Sequence, residues 1–191
     1  ADKLVEAGVS MLQMHHDDPK EMEEVKKRHP SVIMEALVHP TAVLNPELAK
    51  IEVDLNFDHG ADYTTLVFSF SPQQLCIYES IAGVRITVEE AIERAVGSVE
   101  YARAKAGREK KVGALIMDAT RIPIERLAEV GKKLVAAGAD TIILDDINGM
   151  AICHVYTYVV REMKRVLPNT EIGLHTHNDI GIATASLYAG L

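Results

Sequence analysis

The sequence predicts an α/β protein, a (β/α)8 barrel left incomplete by the residues given, and three observations carry that expectation. Charged helical segments alternate with short β-branched apolar runs along all 191 residues. Parallel neighbours need a crossover connection, so the alternation means a parallel sheet with right-handed crossovers. A doubly wound dinucleotide-binding sheet would carry G-x-G-x-x-G after its first strand, and that spacing is absent. The chain opens inside a helix and stops inside another with six strands between. A complete barrel has eight strands and about 250 residues. The expectation is a single barrel domain over residues 1–191, truncated at both ends: one unit short in front and one strand short behind.

Each element has its own local reason. Residues 2–7 read as a helix tail closed by Gly8, and 9–14 as a strand. Asp18, Pro19 and Glu21 open the next helix as cap, first helical position and reach-back residue. It ends at His29-Pro30, and a strand follows over 31–38. Asn45-Pro46 starts a helix running to Gly60, ahead of a strand at 61–70. Thr87-Val88-Glu89-Glu90 is a capping box for a helix to Ala106, with Gly107 in the left-handed region at its end. Strands follow at 111–117, 139–144 and 171–176. Helices follow at 124–137, closed by Gly138, at 152–167 and at 180–191.

Composition narrows the partners. Twenty Lys and Arg against 28 Asp and Glu give a formal charge of −8, scattered rather than blocked. An acidic chain without a basic stripe argues against nucleic acid or an anionic membrane as its main partner. No uncharged apolar stretch reaches the roughly 18 residues of a membrane helix, and the first residues carry no signal-peptide pattern. Cys76 and Cys153 are unpatterned thiols that suit a reducing, cytoplasmic setting.

In a barrel of this kind ligands bind beyond the carboxyl ends of the strands. His175 and His177 stand two apart on the last strand, so both imidazoles leave the same face, while Thr176 points the other way. Two neutral imidazoles side by side suit one divalent cation. The plainer alternative is a pair of polar residues hydrogen-bonded at a strand end. Asp118 and Arg121 follow a strand and line the mouth, or form a loop ion pair. Asp145 and Asp146 end another strand, with Asp145 read as the cap of the following helix. Gln13 and His39, at or just past strand ends, are candidate substrate contacts, as are His15 and His16 beside Asp17 and Asp18. His29, His59 and His154 read as structural. Met11, Met14, Met34 and Met117 read as barrel filling, and the mixed charges of 21–28 as a solvated helix face.

Residues 175–185, His-Thr-His-Asn-Asp-Ile-Gly-Ile-Ala-Thr-Ala, resemble the H-x-H-N-D-x-G-x-A-x-A signature of the metal-dependent condensing and lyase barrels. That family includes the isopropylmalate, homocitrate and citramalate synthases and, more distantly, hydroxymethylglutaryl-CoA lyase. Two weaker matches keep the family's order. Residues 100–103 through Asp118-Ala119-Thr120-Arg121 resemble its "ED-A-T-R" strand. Residues 138–142 through Asp146-Ile147-Asn148-Gly149 resemble its "GA-x-T-I…D-T-V-G" strand.

The resemblance implies a catalytic barrel in which His175 and His177 ligate a divalent metal (Mn, Zn, Co or Mg). The family's third ligand, an Asp of the first strand, would lie before Ala1. Asp118, Arg121 and Asp146 take the matching catalytic positions, Asp146 being the family carboxylate. Thr65 stands where many synthases carry a His on their fourth strand, and Thr65 and Asn178 join Gln13 and His39 as candidate substrate contacts. The implied reaction is a Claisen-type condensation of acetyl-CoA with a 2-oxo acid: a base takes a proton from the acetyl methyl, the enolate attacks the metal-bound ketone, and thioester hydrolysis drives the step. The alternatives are a carbon–carbon lyase acting on a hydroxyacyl-CoA or 4-hydroxy-2-oxo acid, and a non-catalytic metal-binding relative. A homodimer is implied by the same likeness. The departures lie in the substrate shell. Met117 replaces a catalytic Glu of the synthases, Ile147 a Thr, and Gln13 a Glu, while His15-His16-Asp17 replaces a Gly-Phe-Pro exit.

Overall fold

The computed structural model describes residues 1–15, 19–40 and 44–191. Six strands, β1 (Met11–His15), β2 (Ile33–Val38), β3 (Tyr63–Ser69), β4 (Lys111–Met117), β5 (Thr141–Asp146) and β6 (Glu171–Thr176), form one sheet in sequence order, and each neighbouring pair is parallel. The sheet curls into part of a (β/α)8 barrel. Among the described residues eight α-helices accompany it, two of them in succession between β3 and β4: α1 (Asp2–Glu6), α2 (Pro19–Arg28), α3 (Pro46–Asp58), α4 (Pro72–Ala82), α5 (Val88–Ala106), α6 (Ile124–Ala136), α7 (Cys153–Val166) and α8 (Ala183–Gly190). Among the described residues no helix is long and apolar enough to cross a membrane.

Local chemistry accounts for the boundaries. Asn45 caps α3 by accepting from the Leu48 N–H, and the Thr87–Glu90 capping box opens α5 with both of its reciprocal bonds in place. The cap expected at Asp18 lies outside the described residues. Gly107 departs from expectation: at φ 62° and ψ −138° it is not left-handed helical but in a region essentially reserved for glycine. Helix α4 is an addition to the sequence reading. Ser71 caps it, Pro72 follows at the first position and Gly83 closes it in the left-handed conformation. Its apolar residues form no clear stripe, so periodicity did not reveal it. Near the functional end, β5 runs two residues beyond the expected 144, and α8 starts at Ala183 rather than 180.

Alternation along each strand separates two apolar layers. Val67, Leu115 and Met117, with Leu37, Ile143 and Ile147 against them, fill the concave interior. The intervening residues, such as Met34, Leu66, Phe68, Ala114, Ile116, Ile142 and Leu144, pack outward under the helices. Met34 and Met14 belong to that outer layer, so of the methionines expected as barrel filling Met117 is the one in the interior cluster.

Candidate metal centre

The pairing of β5 with β6 builds the centre. Asp145 lies opposite His175 in the parallel register, and both belong to the inward-facing series of their strands. The His177 N–H donates to the Asp146 carbonyl (3.2 Å), carrying the pairing past the end of β6 and keeping His177 on the same side as His175. The two imidazoles sit with ring centroids 5.6 Å apart and planes inclined at 59°. One ligand atom each from Asp145, His175 and His177 falls within 4.8 Å of the others, and among the described residues no other His, Cys, Asp and Glu side chains converge in this way.

Electrostatics prepare these groups differently. Burial, with a smaller contribution from the His177 charge, holds the His175 pKa below its ordinary value, which favours the neutral imidazole. Burial first, then the charges of Asp146 and Asp118, pushes the Asp145 carboxyl up to about 7. Asp145 is 3% exposed, and its Oδ1 has no hydrogen-bond partner. Imidazoles beside a buried carboxylate oxygen that lacks a donor fit a divalent cation.

A buried tyrosine braces the pair from behind. The Tyr156 hydroxyl on α7 donates to the His175 carbonyl (2.7 Å), and burial pushes that phenol up to about 12, so it stays a donor. Gly149, in the turn after β5, packs against the loop after β6. A Cβ there would meet the His177 carbonyl oxygen and Asp179 Oδ2 at 2.5 Å, and its φ of +59° already favours glycine.

Asp145 does not cap α7, contrary to the sequence reading. It is Asp146 whose Oδ2 accepts the Ala151 N–H (2.7 Å) and whose Oδ1 accepts the Thr120 hydroxyl (3.2 Å). The reason is parity: β5 extends through both residues, so successive carboxylates face opposite sides of the sheet.

The exposed Arg121 clasps the fully buried Asp118. Arg121 Nε and Nη2 donate to the two Asp118 oxygens at 2.6 and 2.8 Å. Ser71, at the exit of β3, adds a hydroxyl at 2.6 Å, and Asn148, after β5, adds its amide at 3.0 Å. Asp118 holds this position at φ 61°, a left-handed conformation that Asp tolerates better than most residues. Arg121 and Asp146 line a hollow of about 280 Å³ with Thr120, Asn148 and Met150, separate from the histidine cluster.

Two candidate substrate contacts meet inside the barrel through a residue the sequence reading missed. Glu35, inward-facing on β2 and buried, accepts the Thr65 hydroxyl at 2.6 Å and the Gln13 amide at 3.0 Å. Strand parity counted from Ile33 would have placed it there. The other two candidates lie apart. The exposed His39 gives its backbone N–H to Glu52 Oε2 (2.6 Å), and Asn178 Oδ1 accepts the Ala183 N–H (3.0 Å) at the start of α8. His16, Asp17 and Asp18 lie outside the described residues. His29 pairs with Asp2 at 2.7 Å and His59 with Glu23 at 2.6 Å, in structural roles.

Comparison with known proteins adds relatives to this geometry. The family profile described as HMGL-like matches residues 1–191. The 2-isopropylmalate synthase of Methanocaldococcus jannaschii is 33% identical over 142 residues, 74% of this chain and 26% of that protein. The homocitrate synthase of Sulfolobus acidocaldarius is 25% identical over 190 residues, 99% of this chain and 39% of that protein. The chain thus spans well under half the length of these relatives. The crystal structure of hydroxymethylglutaryl-CoA lyase from Pseudomonas aeruginosa superposes with a TM-score of 0.74 at 18% identity, covering 98% of this chain and 62% of that one.

Proposed function

The chain belongs to the HMGL-like family, and from that premise we propose that it is the larger part of a catalytic barrel performing metal-dependent Claisen condensation of acetyl-CoA with a 2-oxo acid. The observation that carries this reading is the His175–His177 pair, His175 on the inward face of β6 and His177 just past its end, with ring centroids 5.6 Å apart. These residues would hold a divalent cation. Bound there, the cation supplies Lewis acidity to a substrate carbonyl and offsets the negative charge that develops on its oxygen.

The remaining residues bind and orient. Tyr156 fixes the carbonyl of His175, and Gly149 lets the loop carrying His177 pack closely. Glu35, Gln13 and Thr65 form a polar patch inside the barrel, suited to hydroxyl and carboxyl groups of a small substrate. Asp118, Arg121 and Asp146 act as positioning residues that set the exit loops of β3, β4 and β5. Asn178 shapes the entry to α8, and His39 stands at the rim. The enzyme acts as a homodimer, as the family likeness implies, in the cytoplasmic setting that its unpatterned thiols Cys76 and Cys153 suit.

One observation favours the reverse reaction, carbon–carbon cleavage. Met117, at the place of the synthase Glu, takes hydrogen bonds on its thioether from Ser69 (3.4 Å) and Tyr78 (3.5 Å), so an uncharged group closes that position. The test supplies the full-length protein with acetyl-CoA and a panel of 2-oxo acids and follows free thiol. CoA release that depends on both substrates and on added metal supports condensation. Acetyl-CoA or pyruvate released from hydroxyacyl-CoA or 4-hydroxy-2-oxo acids, with no condensation, assigns cleavage. Turnover of neither class under saturating metal refutes both.

A further inference from the structure

We propose that Asp145 is a ligand of the same cation, so that β5 and β6 together supply a face of two imidazoles and one carboxylate. This rests on the reading of His175 and His177 as metal ligands and extends it to a residue that the sequence pattern had placed in helix capping.

Register supplies the first argument. Asp145 is paired with His175 across adjacent parallel strands, and both side chains rise on the concave side. No loop has to fold over to bring them together, so the backbone ladder preorganises the face. The second argument is an unmet need. A carboxylate oxygen removed from water and given no donor is costly, and native proteins rarely leave one so. Asp145 Oδ1 is in that state, although two imidazoles and the Asp146 turn lie beside it. Asp146, one residue on, has a donor on each of its oxygens. The contrast shows that the turn satisfies an aspartate where packing alone requires it.

Geometry and charge agree. Ligand atoms around one cation of the zinc class stand about 3–4 Å apart. The present spread of up to 4.8 Å closes by small rotations of the side chains. Two neutral imidazoles and the Asp145 carboxylate would bring a dication to a net charge of +1, and the first-strand Asp that the family likeness implies would bring it to zero. Two imidazole donors favour zinc or cobalt over magnesium.

The experiment titrates Co(II) and Zn(II) into the full-length protein by calorimetry and absorption, for wild type, Asp145→Asn, Asp145→Cys and His175→Ala/His177→Ala. Circular dichroism verifies that each variant is folded. We expect stoichiometric binding by wild type and a loss of about 100-fold in affinity for Asp145→Asn, at least what removing a supporting residue around a metal site costs. Asp145→Cys should add a thiolate-to-cobalt charge-transfer band, which appears only if the side chain at 145 touches the metal. This second readout stands even if Asp145→Asn perturbs packing. Wild-type affinity in Asp145→Asn together with no such band in Asp145→Cys overturns the proposal while leaving the histidine pair intact. Absence of binding by wild type, or its persistence in the double histidine variant, refutes the histidine reading itself and this inference with it.

Discussion

Asp145 and Asp146 carry the same carboxylate into opposite surroundings because strand neighbours face opposite ways. The motif made His175 and His177 legible, since their spacing of two holds wherever the strand ends. Asp145 was not legible, because its direction depends on β5 continuing past 144, and strand ends are set by tertiary pairing. The titration sign follows from its burial. A carboxyl raised to about 7 binds its proton more tightly folded than unfolded, so stability is lost as pH rises from about 4 to 7, and the penalty is complete above 7. Asp145→Asn in chelator-treated protein should therefore raise the melting temperature at pH 8, by a gain on the order of a few kcal/mol. The gain should shrink towards pH 4, and equal gains at both pH values would contradict it. Asp118 predicts the reverse behaviour. Its four accepted hydrogen bonds and left-handed backbone leave little that another residue can copy. Asp118→Ala should lower the urea midpoint, at a cost of about 3 kcal/mol. A midpoint within error of wild type would show that the clasp is dispensable.

At the scale of elements, those with strong local signals were read to within a few residues. β4 and β6 came out with the expected bounds, and the Thr87–Glu90 box set the start of α5. Ser71-Pro72 offered an equally good start for α4, but without an amphipathic stripe behind it the signal had no continuation. Glu35 sat on a correctly placed strand and was still missed, because a lone Glu among apolar residues gives no sign of its hydrogen-bonded partners. Gly149 is where two elements constrain each other. Its missing side chain lets the turn after β5 touch the loop after β6. In Gly149→Ala the backbone strain and the contact with the His177 carbonyl should together cost about 2–4 kcal/mol. Metal affinity should fall alongside, because the loop moves away with His177. Unchanged melting and unchanged metal titration would show the approach to be slack.

At the scale of the molecule, the barrel class was legible because alternation of helix and strand permits few solutions, and a curled parallel sheet in sequence order is one of them. Among the described residues β1 and β6 each pair on one side, and Tyr188, Ile81 and Met150 are among the large apolar side chains left exposed. Open strand edges and apolar surface favour association. These 191 residues expressed alone should sediment as concentration-dependent oligomers, and a sharp, reversible monomeric melt would contradict this. The clasp at Asp118 carries a different lesson, about how such a scaffold changes its trade. One aspartate is the common anchor for residues leaving β3, β4 and β5, so those three segments of the rim are yoked like spokes to a hub. A segment transplanted from a relative at any one of them arrives without its anchor point unless Ser71, Arg121 or Asn148 travels with it. On the proposed reading of the patch at 13, 35 and 65 as substrate contacts, new preferences are then more readily acquired by exchanging those single side chains, beneath the rim, than by exchanging the rim.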